Sequence, residues 1–180
     1  MLPLSLRPFA FIDTETTGLD PNVAEVIEVA IIKETQSGQE VDRWETKIHM
    51  ERPEDAHPRA LQVNNYSEVE WLGAPKMSEV AQTIADKLDG CIIVGHNPKF
   101  DLGMLEANIA RSGVNVRLPY HAIDTVVLVW EHLVPQGLEY LSLDRVREFL
   151  GWEKDGAHRA MKDVEDTRRL FRKLTEGRGR

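Results

Sequence analysis

The stretch Phe11-Ile12-Asp13-Thr14-Glu15-Thr16-Thr17-Gly18-Leu19-Asp20 (residues 11–20) opens as a buried strand, then sets two acids where an apolar run should continue. Residues i and i+2 of a strand share a face, so Phe9, Phe11, Asp13 and Glu15 point the same way. That puts both carboxylates at the strand's carboxyl end, where α/β sheets tend to hold ligands. Asp-x-Glu is common and by itself reads as a solvated turn. The Thr16-Thr17-Gly18 that follows adds two hydroxyls and a flexible backbone, which suit a turn lining a phosphate.

Working outward, residues 9–12 and 26–32 are apolar, β-branched runs parted by a turn at 18–22. Gln36-Ser37-Gly38-Gln39 reads as a hairpin turn into a third strand at 41–48. Residues 51–75 form a proline-containing excursion with short helical turns. Helical spacing marks 78–88, with Ser78 as its N-cap. A short buried strand follows at 91–94. Asn97 and Pro98 open the next helix as N-cap and first residue, and it runs to Gly113. A strand passing into helix is expected at 122–129, and helices at 142–150 and 160–174. Strands first, then alternating strand and helix, predict an α/β domain with a mixed sheet of about five strands flanked by helices. At 180 residues and 42% hydrophobic, the chain suits one domain over 1–175, with 176–180 a frayed basic tail. The tryptophans Trp71, Trp130 and Trp152 are expected in the core.

Two more acids lie on apolar helix faces. In HNPKFDLGMLEANIA (96–110), Asp101 falls within the arc of Leu102, Met104, Leu105 and Ile109. A buried ionised carboxylate is costly unless paired or bound to a cation; otherwise Asp101 is a first-turn acid meeting the helix dipole. In HRAMKDVEDTRRLFRKL (158–174), Val164, Thr167, Leu170, Phe171 and Leu174 make the inward arc, and Asp163 lies on its edge. Glu165, Asp166, Arg169 and Arg172 read as solvent surface. His158 precedes Asp163 by five residues, not a same-face spacing, so it reaches the same place only from the loop before the helix. Four inward acids without cysteine ligands point to hard divalent cations, Mg²⁺ or Mn²⁺, rather than structural zinc.

The lone Cys91 excludes an intramolecular disulfide and points to a reducing, cytoplasmic setting. No apolar run suits a membrane span, and the N-terminus lacks the pattern of a signal peptide. The net charge of −8 argues against a nucleic-acid partner, though two bound divalent cations would offset about four units of it.

Together, Asp13-Thr14-Glu15 with Thr16-Thr17-Gly18-Leu19, then Asn97-Pro98-Lys99-Phe100-Asp101, then His158-Arg159-Ala160 with Asp163, resemble the three motifs of the DEDDh class. These are the DnaQ-like 3′–5′ exonucleases with a ribonuclease-H-like fold. The resemblance spans residues 13–163. It implies that Asp13, Glu15, Asp101 and Asp163 bind two divalent cations, and that His158 is the general base taking a proton from the attacking water. It further implies substrate contacts from the backbone at Thr16, Thr17 and Gly18, a wedge at Leu19, stacking at Phe100, and His96 and Asn97 near phosphates. Single-stranded 3′ ends are the implied partner, DNA favoured, with a DNA polymerase a candidate companion. The alternatives are trimming of RNA ends and a non-catalytic 3′-end-binding module. Glu28 and Asp124 match as second-rank acids, or else as an edge-strand charge and a helix start. Where family members carry Gly-Ile-Thr, this chain has Asn64-Asn65-Tyr66, and Asn65 suits the left-handed backbone of that glycine.

Overall fold

The computed structural model describes residues 2–119, 121–153 and 158–176. Five strands form one sheet: β1 (Phe9–Thr16), β2 (Val26–Glu34), β3 (Glu40–Lys47), β4 (Ile92–Gly95) and β5 (Ala122–Asp124). Their order is β3-β2-β1-β4-β5. The first three are antiparallel neighbours, while β4 and β5 run parallel to β1. Among the described residues six α-helices accompany them: α1 (Pro58–Val63), α2 (Met77–Leu88), α3 (Pro98–Arg111), α4 (Thr125–His132), α5 (Leu143–Leu150) and α6 (Ala160–Thr175). This is the expected mixed α/β sheet flanked by helices.

The sheet is covered on both faces, which is why β1 and β2 are almost unbroken apolar runs. Ile12, Val29 and Ile31 pack with Ile84 and Leu88 of α2 and Met104 and Leu105 of α3. Phe9, Phe11, Ala30 and Ile32 pack with Val129 of α4, Val146 of α5, and Leu170 and Phe171 of α6. Both helical layers reach the carboxyl end of β1, so α3 and α6 approach the same strand end from opposite faces.

Two boundaries and one cap differ from expectation. Strand β1 runs four residues past Ile12: Asp13 and Glu15 stay paired with β2, opposite Ala30 and Glu28, and the register shifts only between Glu15 and Thr16. Helix α2 begins at Met77 with Lys76 before it, not Ser78, because the Glu79 carboxylate accepts the Lys76 N–H at 2.7 Å. Asn97 and Pro98 do open α3, but Asn97 sits at φ +69° and its side chain caps nothing. Gly95 before it is obligatory, since an added Cβ would lie 2.7 Å from the Pro98 Cβ.

Asn65 takes the expected left-handed backbone, with φ +50°. Trp71 is buried, its indole N–H donating to the Ile27 carbonyl at 2.7 Å. Trp130 is not in the core: it is 63% exposed, on the outer face of a helix beside the sheet's edge strand. Asp166 is not surface but buried, and Arg172 reaches back to Glu34 on β2. Of the expected frayed tail only Glu176, just past α6, falls within the described residues. No helix among them is long and apolar enough to cross a membrane.

Candidate active site

Asp13 and Glu15 stand on the β1 face that looks toward α6. Asp163, in the first turn of α6, comes to meet them, and oxygens of the three lie within 4.8 Å of one another. Asp101 arrives from the other layer. Its Oδ1 accepts the Thr14 N–H at 2.9 Å and the Thr14 hydroxyl at 2.8 Å, which locks α3 to β1. Asp13, Glu15 and Asp163 thus come together from β1 and α6, and Asp101 of α3 stands outside that close group but near enough to raise Asp13 and Glu15.

Each outlying acid has one oxygen engaged. Asp163 Oδ1 accepts from Arg147 Nη2 at 2.7 Å and from the His158 N–H at 3.3 Å. Asp101 Oδ1 is likewise taken by Thr14, and among the described residues no other side chain engages either carboxylate. His158 reaches the site from the loop, at φ +63°. Its Nε2 lies 3.4 Å from Asp144 Oδ2. Asp144 Oδ1 in turn accepts from Arg147 Nη1 at 2.8 Å. The closed ring His158–Asp144–Arg147–Asp163 thus joins the histidine to one acid of the cluster.

Crowding these carboxyls in a dry pocket makes their ionised forms unfavourable. Burial, then Asp101, Asp163 and Glu15, raise Asp13 well above the ordinary carboxylate range. Burial and then Asp163 push Glu15 up to about 8. Burial lifts Asp101 to about 7 despite its bonds from Thr14. Burial raises Asp163 too, with Arg147 opposing. Such a cluster must gain protons or cations. An all-oxygen donor set with unengaged oxygens fits hard divalent ions of the Mg²⁺ or Mn²⁺ type.

Beside Glu15 and His158 lies a groove of about 590 Å³, whose walls include Thr14, Thr16, Gly18, Leu19, His57, Arg59, Val63, Asn64 and Phe100. Leu19, 84% exposed, stands at its lip. Helix α1 is pinned as the far wall: the His57 N–H donates to the Thr17 carbonyl, and the Asn64 amide to the Thr16 carbonyl, both at 2.8 Å. Of the residues expected to touch substrate, Thr16, Gly18, Leu19 and Phe100 therefore share this groove.

Three expected contacts are placed elsewhere. Thr17 is buried, with its N–H and carbonyl bonded to Glu25 and His57 and its hydroxyl accepting the Glu25 N–H, so it shapes the turn. His96 has one ring nitrogen at the Leu141 carbonyl (2.7 Å) and the other at Thr125 Oγ1 (2.9 Å), and burial lowers its pKa, so it braces β4 against the α4 and α5 region. Asn97 does not line the groove; its backbone N–H donates to Asp124 Oδ1 at 3.0 Å. Asp124 also accepts from Val126 at 2.9 Å, and so ties the starts of α3 and α4. Glu28 is not an edge charge, since β2 is an interior strand.

Arg147 and Asp144 were not legible as site residues, although a signal existed. Leu143, Val146, Arg147 and Leu150 share one helical arc, and an arginine on an apolar arc calls for buried acids as an aspartate calls for cations.

The exonuclease family model RNase_T matches residues 10–171. DNA polymerase III of the PolC type from Thermotoga petrophila is 34% identical over 169 residues, which is 93% of this chain and 12% of that protein. The 3′–5′ exonuclease DinG of Staphylococcus aureus is 28% identical over 170 residues, 93% of this chain and 18% of its own length. The chain thus spans under a fifth of these relatives. Exonuclease I of E. coli, solved with a dT13 oligonucleotide, superposes with a TM-score of 0.81 at 18% identity, over 94% of this chain and 41% of that one. With the acidic cluster, the flanking histidine and a family match over residues 10–171, the chain belongs to the exonuclease family.

Proposed function

We propose that this chain is a metal-dependent 3′–5′ exonuclease that removes nucleoside 5′-monophosphates from single-stranded ends, DNA in preference to RNA. One observation carries the reading: Asp13, Glu15 and Asp163 come within reach of one ion, Asp101 stands near enough to raise Asp13, and Glu15 and His158 line a groove closed at its far side by α1. The reaction is hydrolysis of the terminal phosphodiester, in which water attacks phosphorus and the preceding nucleotide's 3′ oxygen departs. Asp13, Glu15, Asp101 and Asp163 would hold two divalent cations, which when bound supply Lewis-acid activation and neutralise phosphate charge. His158 accepts the proton of the attacking water, the part of a general base. Leu19 and Phe100 offer apolar contact to bases without reading sequence. Similarity to a PolC-type polymerase supports a place beside a DNA polymerase.

The test is digestion of 3′-labelled single-stranded DNA, single-stranded RNA and mismatched duplex ends with Mg²⁺, Mn²⁺ or EDTA. Labelled mononucleotide should appear first from single-stranded DNA, next from mismatched ends, and not in EDTA. Tight end-binding with no hydrolysis under either metal would replace the enzyme with a binding module.

Arg59 offers a second check. It is exposed on the groove, and among the described residues its guanidinium has no acidic partner. A free cation there suits a backbone phosphate. Arg59→Ala should raise KM about 3–10-fold at unchanged kcat, and flatten the slope of log KM against log salt by about 0.7, the effect of one phosphate contact on a single strand. An unchanged salt slope would remove Arg59 from the substrate path.

A further inference from the structure

Glu28 lies on interior strand β2, directly opposite Glu15, and is 4% exposed. Its Oε1 accepts the Ala160 N–H at 3.1 Å, across 132 residues of sequence. Its Oε2 is buried with no hydrogen-bond partner among the described residues. A carboxylate in so poor a place needs a compensating task.

The task is visible at the start of α6. Ala160 is the first residue of that helix, and Arg159, in the N-cap position, provides no side-chain cap. The first-turn amides of a helix lack partners within it, and a local Ser, Thr, Asp or Asn normally supplies one. Here the acceptor comes from the sheet instead. Ala160 stands two residues after His158 and three before Asp163, and Asp163 Oδ1 accepts the His158 N–H. The turn carrying the histidine and one acid of the cluster is thus pinned to β2 at a point between them. A negative group there also meets the positive end of the α6 dipole.

We propose that Glu28 is a positioning residue: it caps α6 from the sheet and so sets where His158 and Asp163 stand against Asp13 and Glu15. It binds no cation itself, and no cluster of three ligand atoms among the described residues includes it. The roles given to His158 and Asp163 rest on the exonuclease reading.

Glu28→Gln keeps an acceptor oxygen at the same reach, while Glu28→Ala removes it. Alanine should lower kcat about 10–100-fold with KM within about twofold, and weaken Mn²⁺ binding by titration calorimetry about tenfold, the usual scale for losing a group that orients a ligand. Glutamine should stay within about threefold of the parent in both, and the Ala160 amide resonance should shift in the alanine protein far more than in the glutamine one. If the alanine protein does not fold, Glu28→Asp, one methylene too short, takes its place with the same expected losses. Two results overturn the proposal: a folded alanine or aspartate variant matching the parent, or a glutamine variant as impaired as alanine, which would make Glu28 a ligand or a charge. A parent protein inactive on every substrate would overturn the exonuclease reading instead, leaving Mn²⁺ binding and the Ala160 resonance to judge the cap.

Discussion

Asp101→Asn protein should release mononucleotide at least about 1,000-fold more slowly than the parent, a loss of about 4 kcal/mol in transition-state stabilisation. In EDTA near pH 8 it should nevertheless melt at a higher temperature. Asparagine keeps an oxygen for the Thr14 N–H and hydroxyl, so the bond between α3 and β1 survives. What disappears is one negative charge from a cluster in which every member raises its neighbours. The sign of the pH dependence follows. Folded-state values near 7 for Asp101 and 8 for Glu15 exceed the ordinary carboxylate range, so the folded protein binds more protons than the unfolded chain between them. Stability of the cation-free parent is therefore greatest below that range and declines as pH rises through about 8. Glu40 and Glu70, held to about 2 by basic partners, finish titrating below this window. Melting curves from pH 5 to 9 should fall in EDTA, flatten with saturating Mn²⁺, and fall less for Asp101→Asn. A parent protein equally stable at pH 5 and pH 8 without cations would contradict the crowded-carboxylate picture.

The sequence made the acids legible because period and polarity conflict there. Asp13 and Glu15 continue the face of Phe9 and Phe11, and Asp101 and Asp163 fall on helical arcs that are otherwise apolar. Such conflicts survive only where a site needs them. His158 was legible only through its motif, since a left-handed residue before a helix has no periodic signature. Thr17 and His96 illustrate the opposite failure. Both are polar residues next to the site, but their hydrogen bonds run to Glu25, His57, Leu141 and Thr125, and none of those pairings can be read from local sequence. Asp166 appeared solvated because its partner, Arg147, lies on another helix.

Arg147 carries the second large effect. Its side chain is fully buried, and its three nitrogens reach Asp144, Asp163 and Asp166 at 2.7–2.8 Å. Burial pulls its pKa down, and the carboxylates around it more than reverse that. Removing one member of a buried ion pair strands the others, at about 3–5 kcal/mol. For a chain of this size Arg147→Met should therefore lower Tm by roughly 10 °C or more. Asp166 keeps Lys162 Nζ at 3.1 Å, so Asp163 is the acid left most exposed to the loss. A divalent cation would offer Asp163 a substitute, and Mn²⁺ should raise the Tm of Arg147→Met more than that of the parent. Adding Asp166→Asn should recover part of the stability but none of the activity, because the Asp163 oxygen that Arg147 held would still be free to turn. Arg147→Lys keeps the charge and cannot make all three bonds, so it should fall between parent and methionine. If methionine at 147 left both Tm and turnover intact, the ring through Asp144 and His158 would be packing alone, and the placement of Asp163 would have to come entirely from the start of α6.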